Sequence, residues 1–421
     1  MHSTDIAMNL KHSAFLIGLS CVATGLACDP GSKSLGDEPT AGSESESESG
    51  EDLVPAAESE LLGILDSGSI HDIDVRADGS IVAAGVSGYQ GTFGDLTVYD
   101  GLWVGAFAEE GGLLWERSFP FPQNEFSESD DLDLTGLATG ADGSVFISIV
   151  DYSDIEESNN EVSKFSADGE PQWTTTLPSR PRSVAATGNG GAIAVGLELA
   201  EDNPNAVYGW AVHLDSLGAV VGTRTWTNPD GRGTLFDSVL ASDAHGFLLG
   251  GSWGTSPASS QADAWLVWVD DDLQTIAELR FPASGGTDRV TELRLDADGN
   301  ALAVVDVDDL TLVTVSPDAT ILSTVVTDPD LVLRSPYSST GYLSQERSNC
   351  AESLDPSAGC AVAAYAGIED EDRQWEHTVE GCSGGTGHAL DAQTSVVVLH
   401  CQTQTDDGLE IAAELHRLQA P

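Results

Sequence analysis

One short phrase recurs along this chain at intervals of roughly 50 residues: a turn of small polar residues, a glycine, then a run rich in β-formers. It reads Ala77-Asp78-Gly79-Ser80-Ile81, then Ala141-Asp142-Gly143-Ser144-Val145, then Asn189-Gly190-Gly191-Ala192-Ile193. Further copies are Ala244-His245-Gly246-Phe247-Leu248 and Ala297-Asp298-Gly299-Asn300-Ala301, with looser ones at Ser339–Leu343 and Gln393–Val396. Asp-Gly between β-rich runs signals a hairpin, because glycine accepts the positive φ of the turn. A short strand precedes the turn, as in Asp72-Ile73-Asp74-Val75 and Glu292-Leu293-Arg294-Leu295. Two more strands follow it, such as Trp103–Phe107 leading to Trp115, Val162–Phe165 leading to Trp173, and Trp210–Leu214 leading to Trp226.

Four short antiparallel strands per unit, without a helical period, predict an all-β chain. The architecture that fits the period is a single β-propeller of seven four-stranded blades. A two-sheet sandwich accounts for the alternation but not for the repeat. The final unit, from about residue 382, supplies only three strands: around His388–Asp391, Ser395–Cys401 and Leu409–Leu418. Glu60–Leu65 stands before the first blade without a partner. Donating it to the last blade closes the ring and removes an exposed edge.

The repeats resemble the bacterial β-propeller-repeat family, on Asp296-Ala297-Asp298-Gly299-Asn300 and on the run from Ala77 to Gly85. The resemblance implies an envelope or secreted propeller and no particular activity. Ser166-Ala167-Asp168-Gly169 with Trp173 is similar to the Asp-box of sialidase-like propellers, with Glu170 where that motif has its glycine. A tight turn beside a core Trp is the expected role.

The N-terminal segment reads as an address. Ala14–Ala27 is a short apolar stretch after Lys11 and His12, too short to span a bilayer and shaped like a signal-peptide core. It ends in Gly25-Leu26-Ala27-Cys28, which resembles a lipobox with its leucine shifted by one place; Cys28 is the expected acylation site, ahead of Cys21. An ordinary secretory signal is the alternative. Asp5 suits a signal poorly, and a start at Met8 gives a basic leader. Residues 28–59 are rich in Ser, Glu, Gly and Pro and read as a solvated, disordered tether. The expected organisation is therefore signal 1–27, tether 28–59 and propeller 60–421, held at the cell envelope outside the cytoplasm.

The chain carries 16 Lys+Arg against 69 Asp+Glu, a formal net charge of −53. That excludes a nucleic-acid binder working by phosphate neutralisation and electrostatic docking on anionic lipids. Hydrophobic residues make up 40 %, enough for a core. Most of the charge lies beyond the tether, so the folded part itself wears a carboxylate coat, which favours hydration and attracts cations.

Cys350, Cys360, Cys382 and Cys401 all lie in the last two units. Export makes disulfides the natural reading, and of the three pairings Cys350–Cys360 with Cys382–Cys401 is favoured. A four-Cys zinc site lacks a close Cys pair. Gly250-Gly251-Ser252-Trp253-Gly254 has nucleophile-elbow spacing but reads as a loop leaving a strand, with no helix after it. Asp296, Asp298 and Asn300 begin like a calcium loop; without a downstream bidentate Glu, a hairpin turn is the preferred reading, and Ca2+ is the one cofactor considered. His71, Asp72, Asp74, Asp131, Asp133, Asp288 and His388 fall near the innermost strands, where they would line the mouth of a central channel. The expectation is a monomeric, non-enzymatic binding or scaffolding module, anchored to a membrane by lipid, with a protein or glycan ligand. The alternative is a propeller hydrolase or lyase acting on an extracellular polymer through acidic and His residues at that channel.

Overall fold

The structure is a computed structural model. It describes residues 58–419 apart from short connecting segments, the longest being 121–131, 152–159, 347–359 and 366–372, with at most the backbone placed over 331–393 and 400–411. The signal, with Cys28 and the expected tether as far as residue 57, lies outside the described residues, as do Asp131 and Cys350; Glu58 and Ser59, the last two residues of that expected tether, already belong to a strand. The described strands belong to one compact unit, Leu53–Pro421.

Every regular element described is a β-strand. After β1 (Glu58–Asp66) come β2 (Gly68–Val75), β3 (Ile81–Ser87), β4 (Gly91–Phe93), β5 (Leu96–Val98), β6 (Gly101–Phe107) and β7 (Leu113–Pro120). The next are β8 (Leu132–Thr139), β9 (Val145–Asp151), β10 (Asn160–Phe165), β11 (Pro171–Leu177), β12 (Arg180–Ala186), β13 (Ala192–Ala200), β14 (Asn203–Leu214) and β15 (Val220–Trp226). Then follow β16 (Gly233–Ser242), β17 (Gly246–Thr255), β18 (Asp263–Val269), β19 (Thr275–Phe281), β20 (Arg289–Leu295), β21 (Ala301–Asp306), β22 (Thr311–Val315) and β23 (Ile321–Val326). The last are β24 (Leu331–Pro336), β25 (Tyr342–Glu346), β26 (Cys360–Tyr365), β27 (Arg373–Val379), β28 (Cys382–Ala389), β29 (Thr394–Thr405) and β30 (Gly408–Gln419).

They form seven four-stranded antiparallel sheets and one short hairpin, β4–β5. Six sheets take their strands in chain order; the seventh runs β28-β29-β30-β1. In it β1 pairs with β30 from Glu58 opposite Gln419 to Asp66 opposite Ala412. The hairpin β4–β5 is an insertion between β3 and β6 that the repeat pattern does not announce.

The turns form where the Asp-Gly phrase puts them. Gly79, Gly143, Gly190, Gly246 and Gly299 all have positive φ, between 78° and 82°. In most of these turns an Asx side chain caps the backbone: Asp78 Oδ1 accepts from Ser80 N, and Asp142 Oδ1 from Ser144 N. Middle strands are buried along their length, as in β3 and β6, whereas the outer strands β15, β19 and β23 alternate exposed and half-buried. A middle strand has a neighbouring sheet on each face and so needs an unbroken apolar run.

The core accordingly lies between sheets. One apolar layer joins the sheets of β2 and β8 through Val82, Val104, Ile147 and Phe165. Another joins the last sheet to the first through Val396, Leu415, Leu62, Ile73 and Phe107. The leading strands lie side by side in chain order, β2 by β8, β8 by β12, β12 by β16 and β16 by β20; β24 lies by β28, and β28 by β2.

Each leading strand carries a β-bulge at the same place. Register shifts fall between Ile70 and Asp72, Leu134 and Gly136, Pro181 and Ser183, Phe236 and Ser238, and Val290 and Glu292. The last two fall between Leu333 and Ser335 and between Gly384 and Gly387. The bulge explains the glycine that ends the repeat phrase. A Cβ on Gly85 would lie 1.9 Å from the Ser69 carbonyl oxygen, and one on Gly251 2.0 Å from that of Leu235.

Candidate functional site

The alternation His71-Asp72-Ile73-Asp74-Val75 puts both carboxylates on one face of β2 and Ile73 in the apolar layer on the other. Asp72 and Asp74 reach across to β8, which is not paired with β2. Asp72 accepts from its neighbour Ile73 N at 2.9 Å and from Leu137 N at 3.0 Å. Asp74 accepts from Val75 N at 2.8 Å, and from Thr139 N and Oγ1, both at 2.8 Å. The carboxylates thus satisfy backbone donors that an edge strand would otherwise leave exposed. Burial pushes Asp72 up to about 7, with the Asp74 charge adding to it, while the N–H donors and Arg294 pull the other way. Burial also raises Asp74, against hydrogen bonds from Thr139 and Val75 and the charge of Arg294.

These two residues line a cavity of about 630 Å3 at the ends of β2, β8, β12, β16 and β20. Its other polar side chains are Arg76, Thr139 and Arg294, set among aliphatic residues such as Val184, Val239 and Leu293. Arg294 donates to Glu292 at 2.8 Å. Arg76 is 8 % exposed, with Nε and Nη2 buried and without a hydrogen-bond partner. Its guanidinium lies 5.8 Å from the Trp115 ring. Burial lowers its pKa, opposed by the charges of Asp78, Asp168 and Asp74.

A second set of charges sits at and beside the bulges. Arg182 binds Asp237 at 2.6 Å, the Asp237 side chain being only 7 % exposed. Burial raises Asp237, countered first by Arg182 and then by Arg289. Arg289 in turn meets Asp306 at 3.3 Å. Asp133 faces the fields of His71 and Arg182. Both His71 and Asp133 keep solvent contact. Surrounding protein still desolvates them enough to lower the His71 pKa, which Asp133 opposes, and to raise that of Asp133. Along successive leading strands the sequence His71, Asp133, Arg182, Asp237, Arg289 alternates basic and acidic groups.

The expected channel residues therefore separate. Asp72 and Asp74 share the cavity; His71 and Asp133 belong to the bulge level. Asp288 is 1 % exposed beside the start of β20, its N–H donating to Ala262 O at 2.9 Å, and it does not line the cavity. His388 lies on β28 opposite Val396. Asp296 is consumed by its own turn, accepting from Asp298 N, Asn300 N and Asn300 Nδ2. Among the described residues no three His, Cys, Asp or Glu are grouped to hold a metal ion. Gly250–Gly254 corrects the expected loop: it lies inside β17, with Ser252 1 % exposed. Cys382 and Cys401 face one another in register across β28 and β29. Arg76, Arg182, Asp237 and Arg294 escaped the sequence reading. The signal available for two of them was the bulge, marked by the glycine opposite it, Gly196 for Arg182 and Gly251 for Asp237.

No protein-family profile matches this chain, and no curated protein is similar to it. Solved structures similar to it include a protein of unknown function from Dyadobacter fermentans, at 11 % identity and a TM-score of 0.45, covering 86 % of this chain and 99 % of that one. The YCF48 protein bound to a D1 peptide matches at 13 % identity and a TM-score of 0.42, over 87 % of this chain and 100 % of that one. Regucalcin, a calcium-binding protein from Agrobacterium tumefaciens, matches at 12 % and 0.38, over 68 % and 91 %. The chain is all-β, built of four-stranded antiparallel sheets, and its structural neighbours include propeller-type proteins.

Proposed function

We propose that this chain is a lipid-anchored protein of the cell envelope whose sheets form one closed seven-bladed propeller, and that the propeller is a binding and scaffolding module rather than an enzyme. The observation that carries the binding role is the cavity, where the ends of five leading strands meet and Arg294 of β20 joins Asp72, Asp74 and Arg76 at the end of β2. The side-by-side leading strands and the β1–β30 pairing support closure of the ring. Gly25-Leu26-Ala27-Cys28 and the acidic segment after it support acylation at Cys28 and a tether over 28–59. The polymer hydrolase or lyase remains the second reading, favoured by Asp72, whose pKa of about 7 suits a proton donor at neutral pH.

Two measurements test this. The full chain and its Cys28→Ser variant are fractionated after expression in a bacterial host; the wild type is expected in membranes and the variant in soluble form, and membrane retention of the variant refutes the anchor. Small molecules co-purifying with the wild type and with Asp74→Asn are then compared by mass spectrometry. A species carried by the wild type and lost from the variant supports the module. Turnover of an added polysaccharide, abolished by Asp72→Asn, favours the enzyme instead.

A further inference from the structure

We infer that the outer edge of β23 is a docking site for an extended segment of a partner protein, an uncharged β-branched strand flanked by Lys or Arg, which joins the sheet as its next strand. The edge is separate from the cavity, so failure of one reading leaves the other standing.

Each four-stranded sheet ends in an outer strand whose far side pairs with no other described strand. Such an edge presents unpaired N–H and C=O groups, and charge or proline ordinarily blunts it. The outer strands β1, β7, β15, β19 and β27 each carry charged residues, and β11 opens on Pro171. Only β23, Ile321-Leu322-Ser323-Thr324-Val325-Val326, has no charge, no proline and no glycine. Ile321, Leu322 and Val326 are exposed on it. The β-bulge near its start is common to β15 and β19 and does not set it apart. Its inner neighbour β22 is buried along its whole length, so the edge is held on a firm template.

Charge complementarity names the occupant. Between Arg294 and Arg334 the sequence holds no Lys, Arg or His, while Asp318 precedes β23 and Asp328 and Asp330 follow it. An uncharged strip is thus bracketed along the chain by carboxylates that no nearby cation in the sequence offsets. Backbone pairing gives affinity for any extended segment, and the flanks choose among segments. A second copy of this chain brings the same flanking carboxylates and sets a net charge of −53 against its equal. A strand with Lys or Arg at its ends is attracted instead, and its β-branched centre covers Ile321, Leu322 and Val326.

The test is calorimetric titration of the purified full chain with the acetylated and amidated peptide Lys-Lys-Val-Thr-Ile-Thr-Val-Lys-Lys. Two controls accompany it: one with the central Ile replaced by Pro, which keeps the charge but cannot pair as a strand, and one with every Lys replaced by Glu. The first peptide is expected to bind saturably and each control about tenfold or more weaker. Amide hydrogen exchange is expected to slow in β23 on binding, with β15 and β19 unchanged. Equal binding of the Pro peptide reduces the effect to general attraction of a cation and overturns the inference. Protection away from β23, equal binding of the Glu peptide, or no binding at millimolar peptide overturns it too. Sedimentation of the chain alone is expected to show a monomer; self-association that protects β23 makes a second copy the occupant and overturns the partner proposed here.

Discussion

Trp173 lies against Gly218 of the next sheet: its indole Nε1 donates to the Ser216 carbonyl at 3.0 Å, and a Cβ on Gly218 would come within 2.7 Å of ring carbon Cδ2. Trp115 does the same one sheet earlier, donating to Ala167 O at 2.8 Å over Gly169. One sheet later the partners exchange size. Gly222 occupies the position of Trp173, and the turn supplies Leu273, whose Cδ1 lies 3.8 Å from where a Gly222 Cβ would be. Leu273 is 1 % exposed and has a φ of 59°, so filling the gap outweighs a backbone conformation that leucine disfavours.

Gly218→Ala is therefore expected to destabilise the protein by about 2–4 kcal/mol, from the left-handed backbone and the overpacked ring. Leu273→Ala is expected to cost about 2–4 kcal/mol through the cavity it leaves. Urea denaturation followed by Trp fluorescence measures both; a Gly218→Ala variant as stable as the wild type contradicts the contact.

Asp72 links stability to pH. Its folded pKa of about 7 lies above the ordinary 3.8 of an unfolded chain. The stabilisation linked to its proton is complete below the unfolded value and is lost as pH rises through about 7. The melting midpoint should rise on going from pH 8 to pH 5. Relief of the overall negative charge acts in the same direction, so the check is the slope: Asp72→Asn should show a visibly shallower dependence than the wild type.

The Arg182–Asp237 pair should respond asymmetrically. Arg182 is 38 % exposed on its side chain and can rehydrate, whereas Asp237 at 7 % cannot. Asp237→Asn is expected to cost about 1 kcal/mol, and Arg182→Gln about 2–3 kcal/mol at pH 8, because it strands a buried carboxylate. The Arg182→Gln penalty should shrink toward pH 5 as Asp237 takes up a proton. Equal penalties in the two variants argue against a desolvated Asp237.

The register that sets Cys382 opposite Cys401 suits a disulfide across β28 and β29. Mass spectrometry of the protein from an oxidising compartment should find that pair linked, and its reduction should lower stability by on the order of 2–4 kcal/mol. Two free thiols in the exported protein refute it.

The elements written in local backbone chemistry were legible before any coordinates. Asp78-Gly79 and Asp298-Gly299 announce their turns because a positive φ is a demand met within two residues. The unbroken apolar runs of β3 and β6 announce burial on both faces. Asp72 and Asp74 drew attention because a period of two sets them on one face of a short strand. Gly250–Gly254 misled for the opposite reason: its glycines look like a loop, yet Gly251 is there to let the β16 backbone pass close by.

By itself, then, the order of residues determined an all-β chain of four-stranded units, the placing of its turns and an excess of carboxylates, since each depends on composition or on neighbours a few positions apart. Tertiary structure alone decided that Arg182 meets Asp237, that Arg294 faces Asp72 and Asp74, and that Arg76 is buried with donors to spare. Those partners stand on different sheets, and a contact made by packing one repeat against another leaves no mark in the spacing within either.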